Sequence, residues 1–570
     1  MKNNEVAQAL NEMAVLLEIQ GKDKFKPKAY SRAARSIASL GEDIEAIASR
    51  GELTEIPGVG KALAEKIDAL LKTGSISQLE ELRKEIPVNV RELDAIPGVG
   101  PMTMKLLYES LGITDLESLE KAVKEGKLTG LKGIRQKTVN QIVEGIQLVR
   151  AGLGRTLLAN AFPVAQSIES ALKHIKSVRQ INVAGSFRRR KETIGDIDIL
   201  VDATDGEKVM EAFVHLEGVT DVLAHGPTKS SVRLSTGLQL DVRVLPPESY
   251  GAGLQYFTGS IDHNVHVRTI AQKQGLRLSE YGLFKGEEQV AGKEEGDIYK
   301  ALGLDYIEPE LREDKGEIEA AQRHELPNLV SLAQIRGDLH THTNKSDGAN
   351  SIEEMLDVAA SKRYEYYCIS DHTKSLTIAG GMTEEQILDA IDEIDGINSS
   401  GRWKLKVLKG AEVDILANGE LDISDDVLER LDVVTASVHT KMKDTKEAIT
   451  DRVCAALQNR HVDILGHPTG RLLLKRSEYE VDLERIFETA RAAGVTMELN
   501  SHPERLDLND GNLRAAKRYG LKIAINTDAH RVGELHNMQF GVFQARRGWL
   551  EPIDVINTYP LKELLKLFRK

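Results

Sequence analysis

Apolar and polar positions follow three different rhythms along this 570-residue chain. Near the N-terminus the rhythm is helical and repeated. "LTEIPGVGKALAEKI" (53–67) and "LDAIPGVGPMTMKLL" (93–107) each set Leu and Ile before Pro-Gly-Val-Gly and then a helix-spaced apolar stripe. Each reads as helix, tight hairpin, helix. "LTGLKGIRQKTVNQI" (128–142) repeats the unit in degraded form, with Arg135 where the second glycine would stand. In the middle of the chain a period of two takes over: Ile194 to Val201, and later "LQLDVRVL", alternate as half-buried strands do. In the C-terminal part, seven strand-like apolar runs each end in a residue able to bind a metal: "IRGDLHTHT", "YEYYCISDH", "LKVLKGAEVDI", "LDVVTASVHT", "VDILGHPTG", "VTMELNSHP" and "LKIAINTDAH". Amphipathic helical stretches such as "SIEEMLDVAASKR" (351–363) and "NLRAAKRYG" (512–520) separate most of them. Such βα repetition closes most naturally into a barrel, where chemistry collects at the C-terminal strand ends.

Composition adds bounds to this outline. With 41% hydrophobic residues the chain can build several cores, and roughly 150 residues per domain suggests three or four domains. No apolar run approaches the ~18 residues of a membrane span, and no h-region follows Met1-Lys2. No membrane role and a cytoplasmic location are therefore expected. Cys368 and Cys454 lie far apart and outside any CxxC, which suits a reducing compartment and excludes thiolate zinc. The net charge of -13 is uneven: residues 1–200 hold 30 basic against 26 acidic side chains, and residues 201–570 hold 45 against 62. The front end is thus mildly basic and remains compatible with phosphate contact. At 4% aromatic residues, little is available for single-strand stacking platforms.

Chemistry is concentrated in three places. Gly58, Gly60, Gly98 and Gly100 allow the hairpins to present successive N–H groups to an anion, a phosphate cradle blind to base sequence. In "INVAGSFRRRKETIGDIDILVDA" (181–203), period two puts Asp196 and Asp198 on one strand face and Ile197, Ile199 and Val201 on the other. Asp241 points away from the core set Leu240, Val242 and Val244. Three convergent carboxylates can hold two Mg2+ ions, with Mn2+ as substitute. Gly185-Ser186 followed by Arg188 and Arg189 offers close backbone approach and charge for leaving phosphates, so nucleotidyl transfer is the chemistry expected. At the barrel strand ends stand His340, His342, Asp347, His372, Glu412, His439, His467, Asp528 and His530. Mixed imidazole and carboxylate without thiolate suits Mn2+, Zn2+ or iron, and nine candidates imply two or three ions.

"GSFRRRKETIGDID" and "YFTGSIDHNVHVR" (256–268) resemble the catalytic strand and nucleotide-seating segment of family X DNA polymerases, the DNA polymerase beta group and its bacterial relatives. The resemblance implies that Asp196, Asp198 and Asp241 form the catalytic metal triad, with Asp241 nearest the primer hydroxyl. It implies that Ser186 and Arg189 hold the triphosphate, that Tyr256, Phe257 and Gly259 line the sugar, that Asn264 reaches the base and that Arg268 reaches the template strand. "FKPKAYSRAARSIASL" (25–40) and the first hairpin match the family's N-terminal helical domain, where Lys66 falls at the position of a Schiff-base lyase lysine. "ANAFPVAQSIE" (159–169) lacks the triphosphate-binding arginine of animal members. The hairpins resemble helix-hairpin-helix modules that grip DNA backbone phosphates. The histidine-rich part resembles the PHP (polymerase and histidinol phosphatase) domain, a distorted seven-stranded barrel that hydrolyses phosphoesters with up to three metals. That likeness implies Glu412 as a bridging ligand and Asp371, Glu498 and Asn500 as supports, leaving His461 and His502 incidental.

The expected fold is multidomain, α+β and α/β: a helical helix-hairpin-helix region, a polymerase beta-like nucleotidyltransferase palm and a distorted (β/α)7 PHP barrel. Its expected parts are an N-terminal DNA-binding domain (1–85), a fingers-like hairpin region (86–150), the palm (151–245), a thumb-like nucleotide-binding subdomain (246–310), an acidic linker (311–335) and the barrel (336–570). The expected function is a bacterial, nucleoid-associated, monomeric repair polymerase that adds dNMPs from dNTPs to primer 3′ ends in short gaps. A metal-dependent 3′-5′ exonuclease, with nicking at abasic sites, is expected of the barrel. The alternatives are a DNA-tethered phosphoesterase acting on small phosphomonoesters, and a non-catalytic DNA-binding scaffold.

Overall fold

The computed structural model describes residues 3–22, 26–38, 44–94, 96, 98–131, 133–152 and 154–568. Phe25, Ser39 and Leu40 of the N-terminal helical stretch and Pro97 of the second hairpin lie outside the described residues. Contacts divide the chain into two compact units, one of Met1–Leu153 with Leu474–Ser477, the other of Gly154–Leu473 with Glu478–Lys570.

The first unit is helical. Its core gathers Leu10, Met13, Leu16, Ile37, Ile67, Leu93, Met104, Leu107, Leu119 and Ile142, one stripe from each amphipathic helix. Each Pro-Gly-Val-Gly closes the same turn: Val59 N–H donates to Ile56 O at 2.9 Å and Val99 N–H to Ile96 O at 2.9 Å. Gly58 and Gly98 take φ of +87° and +91°, a region closed to bulkier residues, directly before helices Lys61–Thr73 and Pro101–Leu111. The degraded copy keeps this geometry, with Gly133 at φ +109° and Ile134 N–H donating to Leu131 O at 3.0 Å.

The second unit starts with a short antiparallel ladder of β1 (Thr156–Leu157) and β3 (Thr193–Ile194). Beside it lies a five-stranded sheet of β2 (Val178–Val183), β4 (Asp196–Ala203), β5 (Val219–His225), β6 (Lys229–Leu234) and β7 (Gln239–Val244), ordered β2-β4-β7-β6-β5. Only β4 and β7 run parallel, and their register sets Asp198 opposite Asp241. Ile197, Ile199, Val201, Leu240 and Val242 bury the opposite face with Phe187 and Phe213. Helices Tyr250–Thr258 and Ile261–Lys273 then lead into β8 (Arg277–Ser279), β9 (Gly282–Lys285) and β10 (Glu288–Ala291), a small antiparallel sheet.

Residues 311–335, expected as a linker, are instead packed. Helix Glu317–Arg323 and Leu311, Ile318, Ala321 and Leu329 share a core with Leu283 and Ile298. The acidity that suggests a solvated tether is matched by bases: Glu313 pairs with Arg189 at 3.0 Å and buried Glu317 with His263 at 2.7 Å, while Glu310 just before the passage pairs with Arg546 at 2.8 Å.

Seven parallel strands follow in sequential order: β11 (Gly337–Asp338), β12 (Tyr366–Ile369), β13 (Lys406–Asp414), β14 (Val433–Ser437), β15 (Ile464–Leu465), β16 (Thr496–Asn500) and β17 (Ile523–Asn526). The barrel nearly closes where Asp528 N–H donates to His340 O at 2.9 Å and His342 N–H to Ala529 O at 2.8 Å. One strand face buries Leu339, Cys368, Leu408, Val433, Ile464 and Ala524 with Ile556 and Leu564 of the C-terminal segment. The palm sheet is fused to this barrel. Phe540 and Leu506 join the palm core, Phe162 lies 5.5 Å from Phe187 and 5.9 Å from Phe543, and Arg190 sits over all three of those rings. Arg471 closes the seam on Glu192 at 2.8 Å.

Candidate metal centres

The strand register builds the palm centre. Asp196 and Asp198 project from one face of β4, and Asp241 joins them from the neighbouring β7, so that all three offer a carboxylate oxygen within 4.8 Å of the others. Burial, then Asp196 and Asp241, push the Asp198 carboxyl up to about 7; burial and Asp241 also raise Asp196. Nearby Arg189 and Arg243 only partly offset this. Three carboxylates that resist shared ionisation, with only oxygen donors, fit a hard divalent cation. Asp241 is oriented by the Ser231 hydroxyl and by Gln239, which donates at 3.1 Å.

The neighbouring predicted residues gather round this face. Gly185 has φ +61°, and a Cβ there would lie 2.4 Å from Asp198 Oδ2, so this position admits only glycine. Ser186 follows in the one-turn helix Gly185–Arg188. Arg188 grips Glu295 at 2.7 and 2.8 Å and donates to Thr258 Oγ1 at 2.8 Å. Arg189 donates to Thr258 O at 2.8 Å and faces Glu313 at 3.0 Å. Arg547 of the barrel donates to both Arg189 O (2.8 Å) and Glu313 (3.1 Å). Asn264 donates to Tyr256 O at 2.6 Å and Gly259 O at 3.3 Å, and a Cβ at Gly259 would come within 2.5 Å of Asn264 Oδ1. Tyr256 and Phe257 meet edge to face at 5.1 Å; Arg268 lies over Tyr256 and Arg243 over Phe257. Ile261 and Val265, 82% and 53% exposed beside Asn264, were not singled out by pattern because an amphipathic helix would bury them.

The barrel centre brings all nine predicted ligands to one mouth. Glu412, completely buried, is the hub: His340 lies 3.3 Å, His342 3.6 Å, His372 2.9 Å, His439 3.2 Å and His467 2.9 Å from its oxygens. His342 also meets Asp528 at 3.0 Å, while His372 and His530 flank Asp347 at 3.6 and 3.3 Å. Eight of the nine donors, all but His467, fall into three overlapping groups sharing His342, His372 and Glu412. Buried His340 Nε2, His342 Nδ1, His372 Nδ1, His467 Nδ1 and Glu412 Oε2 have no aligned hydrogen-bond partner. Such orphans are costly unless a cation sits among them. Burial, with His530 and His372 beside it, drives His342 down to about 3, leaving a neutral imidazole. Burial opposes charging of His340, but Glu498, Glu412 and Asp528 outweigh it and raise that group. His467 and Asp528 sit at φ +26° and +52°, strain of about 1–3 kcal/mol each spent on aiming ligands.

A ring of acids holds the strand ends. Glu498 accepts from His467 N at 2.7 Å and Asn526 Nδ2 at 2.9 Å and lies 2.7 Å from His340 Nδ1; Asn500 donates to Asp528 at 2.9 Å. Asp371 accepts from Thr343 Oγ1 at 2.6 Å, Asp422 from Thr373 at 2.7 Å, Asp507 from Thr469 at 2.8 Å and Asp338 from Thr527 at 2.5 Å. Each threonine stands one or two residues from a ligand, so every clamp fixes the direction of its neighbour's ring or carboxylate. Asp414 lies 3.2 Å from His439 Nδ1 and plays the same part. Asp371 was expected; Asp338, Asp414, Asp422 and Asp507 were not, because lone aspartates at strand ends carry no pattern. His502 accepts from Glu504 N at 3.3 Å, and His461 from Arg460 Nε at 3.2 Å.

At the hairpins, Gly60 and Gly100 have ordinary φ of -86° and -87°, and a Cβ at either would meet nothing within 4 Å. Lys66 is partly buried on helix Lys61–Thr73, next to buried Ile67.

Family models match five stretches: a helix-hairpin-helix domain at residues 1–76, a SAM-like helix-hairpin-helix tandem at 90–147, a DNA polymerase beta palm at 160–238, a DNA polymerase beta thumb at 253–313 and a PHP domain at 338–502. Asp241, Asp528 and His530 fall beyond the palm and PHP matches and enter through geometry. The chain is 37% identical over 568 residues, 99% of each chain, to a DNA polymerase/3′-5′ exonuclease PolX of Bacillus subtilis. It is 27% identical over 341 residues to DNA polymerase lambda of Rattus norvegicus, 55% of this chain and 56% of that one. It is 32% identical over 243 residues to a probable phosphatase of Thermoanaerobacter, 40% of this chain and 94% of that one.

Proposed function

The chain belongs to the family X DNA polymerases that carry a C-terminal PHP domain, and from that premise we infer that its two metal centres add and remove nucleotides at DNA 3′ ends. It is a repair-type DNA polymerase and 3′-5′ exonuclease with DNA and dNTPs as substrates, and both activities depend on divalent metals. Its parts are read as two hairpin domains, palm, thumb and barrel, with the acidic passage belonging to the thumb core rather than to a tether.

At the palm, Asp196, Asp198 and Asp241 would hold Mg2+, or Mn2+ in its place, and Asp241 would stand nearest the primer hydroxyl. In the barrel, the nine residues gathered about Glu412 would hold two or three Mn2+ or Zn2+ ions. When bound, the ions polarise the attacking oxygen and neutralise developing charge on the phosphate oxygens. The chain's own residues supply the rest. Ser186 and Arg189 take the triphosphate, which requires Arg189 to exchange Glu313 for a phosphate oxygen. The Tyr256–Gly259 backbone, pinned by Asn264, lines the sugar; Asn264 reaches the base and Arg268 the template strand. The open faces of Gly60 and Gly100, which internal packing does not require, suit close approach of a DNA phosphate. A DNA substrate places the protein with the nucleoid, and Lys66 is its candidate for abasic-site lyase chemistry.

The observation that carries this reading is the separation of one three-carboxylate centre from one imidazole-rich centre within a single fused unit. A labelled primer on a gapped duplex, incubated with Mg2+ or Mn2+ with and without dNTPs, tests it. Extension should disappear in Asp196→Ala and shortening in His340→Ala; loss of both activities in either variant contradicts two separate centres. The likeness to a probable phosphatase favours one second reading, a barrel specific for small phosphomonoesters. That reading predicts their hydrolysis and no shortening of DNA.

A further inference from the structure

The barrel mouth contains four side chains outside the candidate ligand set. The cavity, about 310 Å3, is lined by the ligands, by Arg505 and by an apolar lip of Leu376, Ile378 and Ala379. Arg505 contributes the only guanidinium or ammonium lining this cavity among the described residues. It stands in the tight turn after β16, where its own N–H donates to His502 O at 2.8 Å and the next residue, Leu506, is anchored in the palm core. Its Nε lies 3.8 Å from Asp528 Oδ2, too far for a hydrogen bond, and its Nη1 is buried with no partner. A buried, unpaired guanidinium donor costs free energy unless an acceptor arrives, and an acceptor entering this cavity meets the metal ligands at the same time.

On the lip of the same cavity, Ile378 lies in the single turn Thr377–Ala379 and is 91% exposed, whereas Ala379 beside it is buried. An isoleucine held out at the rim of an otherwise charged pocket gains only when an apolar surface covers it. A free phosphate offers none. A nucleobase attached to the phosphate through one sugar does.

We propose that this mouth is a nucleotide subsite, in which Arg505 binds the scissile phosphate and Ile378, backed by Leu376, covers the face of the 3′-terminal nucleobase. The inference rests on reading the barrel as a nuclease and assigns the residues that make it select a nucleotide over a bare phosphomonoester.

The test compares each variant on two Mn2+-supplemented substrates, a primer ending in a normal nucleotide and one ending in a base-less tetrahydrofuran unit. Ile378→Ala should raise KM about fivefold on the normal end and leave the base-less end unchanged. Arg505→Gln should lower kcat/KM about tenfold to a hundredfold on both ends and weaken inhibition by inorganic phosphate equally, with bound metal unchanged. Equal effects of Ile378→Ala on both ends, or loss of metal in Arg505→Gln, would overturn the assignment; the second outcome would make Arg505 a support for Asp528. Should the unaltered protein shorten neither end, the nuclease reading fails separately. Binding of thymidine 5′-monophosphate and of deoxyribose 5-phosphate to the Mn2+-loaded protein then decides the subsite. Tighter binding of the nucleotide that Ile378→Ala removes supports it, and equal binding of both refutes it.

Discussion

The palm and the barrel solve the same problem, gathering cations beside a phosphate, with opposite electrostatics. The palm sets three carboxylates side by side on two parallel strands, half open to solvent, where burial and then repulsion from Asp196 and Asp241 raise Asp198 to about 7 and Arg243 and Arg189 only partly offset the rise. The barrel sets imidazoles round a single buried carboxylate hub and steadies the ligand-bearing loops with four acid–threonine pairs. A repelling, open site binds its cations best when a triphosphate brings them and shares their charge. A balanced, enclosed and oriented site holds its cations between turnovers. The difference follows from where the ligands sit: adjacent strands can supply only what faces them, whereas strand ends round a barrel collect ligands from the whole domain.

The sharpest way to break this comparison is to remove one ligand from each centre. Asp198→Asn should cut primer extension by at least about a thousandfold with nuclease rate unchanged, and Glu412→Gln the reverse, in paired extension and shortening assays. The next effect concerns stability. The polymerase half does contain balanced buried charge, but in its frame: Glu295 bridges Arg188 and the fully buried Arg312. Burial raises the Glu295 carboxyl, yet Arg312 and Arg188 outweigh it and bring it to about 2. Its folded value is depressed, so its stabilisation is complete above about pH 4.5 and fades as pH falls towards 2. Glu295→Gln should therefore cost about 3–5 kcal/mol in urea unfolding at pH 7, shrinking as pH falls through that window. Smaller still are changes behind the ligands. Glu498→Gln should weaken barrel metal affinity about tenfold to a hundredfold, whereas Ser231→Ala behind Asp241 should alter polymerase metal dependence about fivefold or less.

Much of this contrast was legible in the chain. Period two put Asp196 and Asp198 on one face, and each of the seven apolar runs became a parallel strand, six of them carrying or leading into a candidate ligand and β16 supplying the supports Glu498 and Asn500. What pattern could not supply was partnership. The pairing of β4 with β7, which meets Asp198 with Asp241, joins strands of which nothing local specifies the register. Acid–threonine clamps are invisible because the two residues come from different strands and neither is unusual alone. The acidic passage looked solvated because its bases, Arg189, His263 and Arg546, lie far away in sequence. Arg505 carried no motif, and its meaning appears only when its Nη1 is seen buried without a hydrogen-bond partner beside the ligands.

Metal content after gel filtration in metal-free buffer tests the central contrast most directly. Protein loaded with Mn2+ should retain two or three ions per chain, lose them in His340→Ala and keep them in Asp196→Asn. A protein that emerges with no bound metal, or one whose retained ions depend on Asp196 rather than His340, would contradict the account.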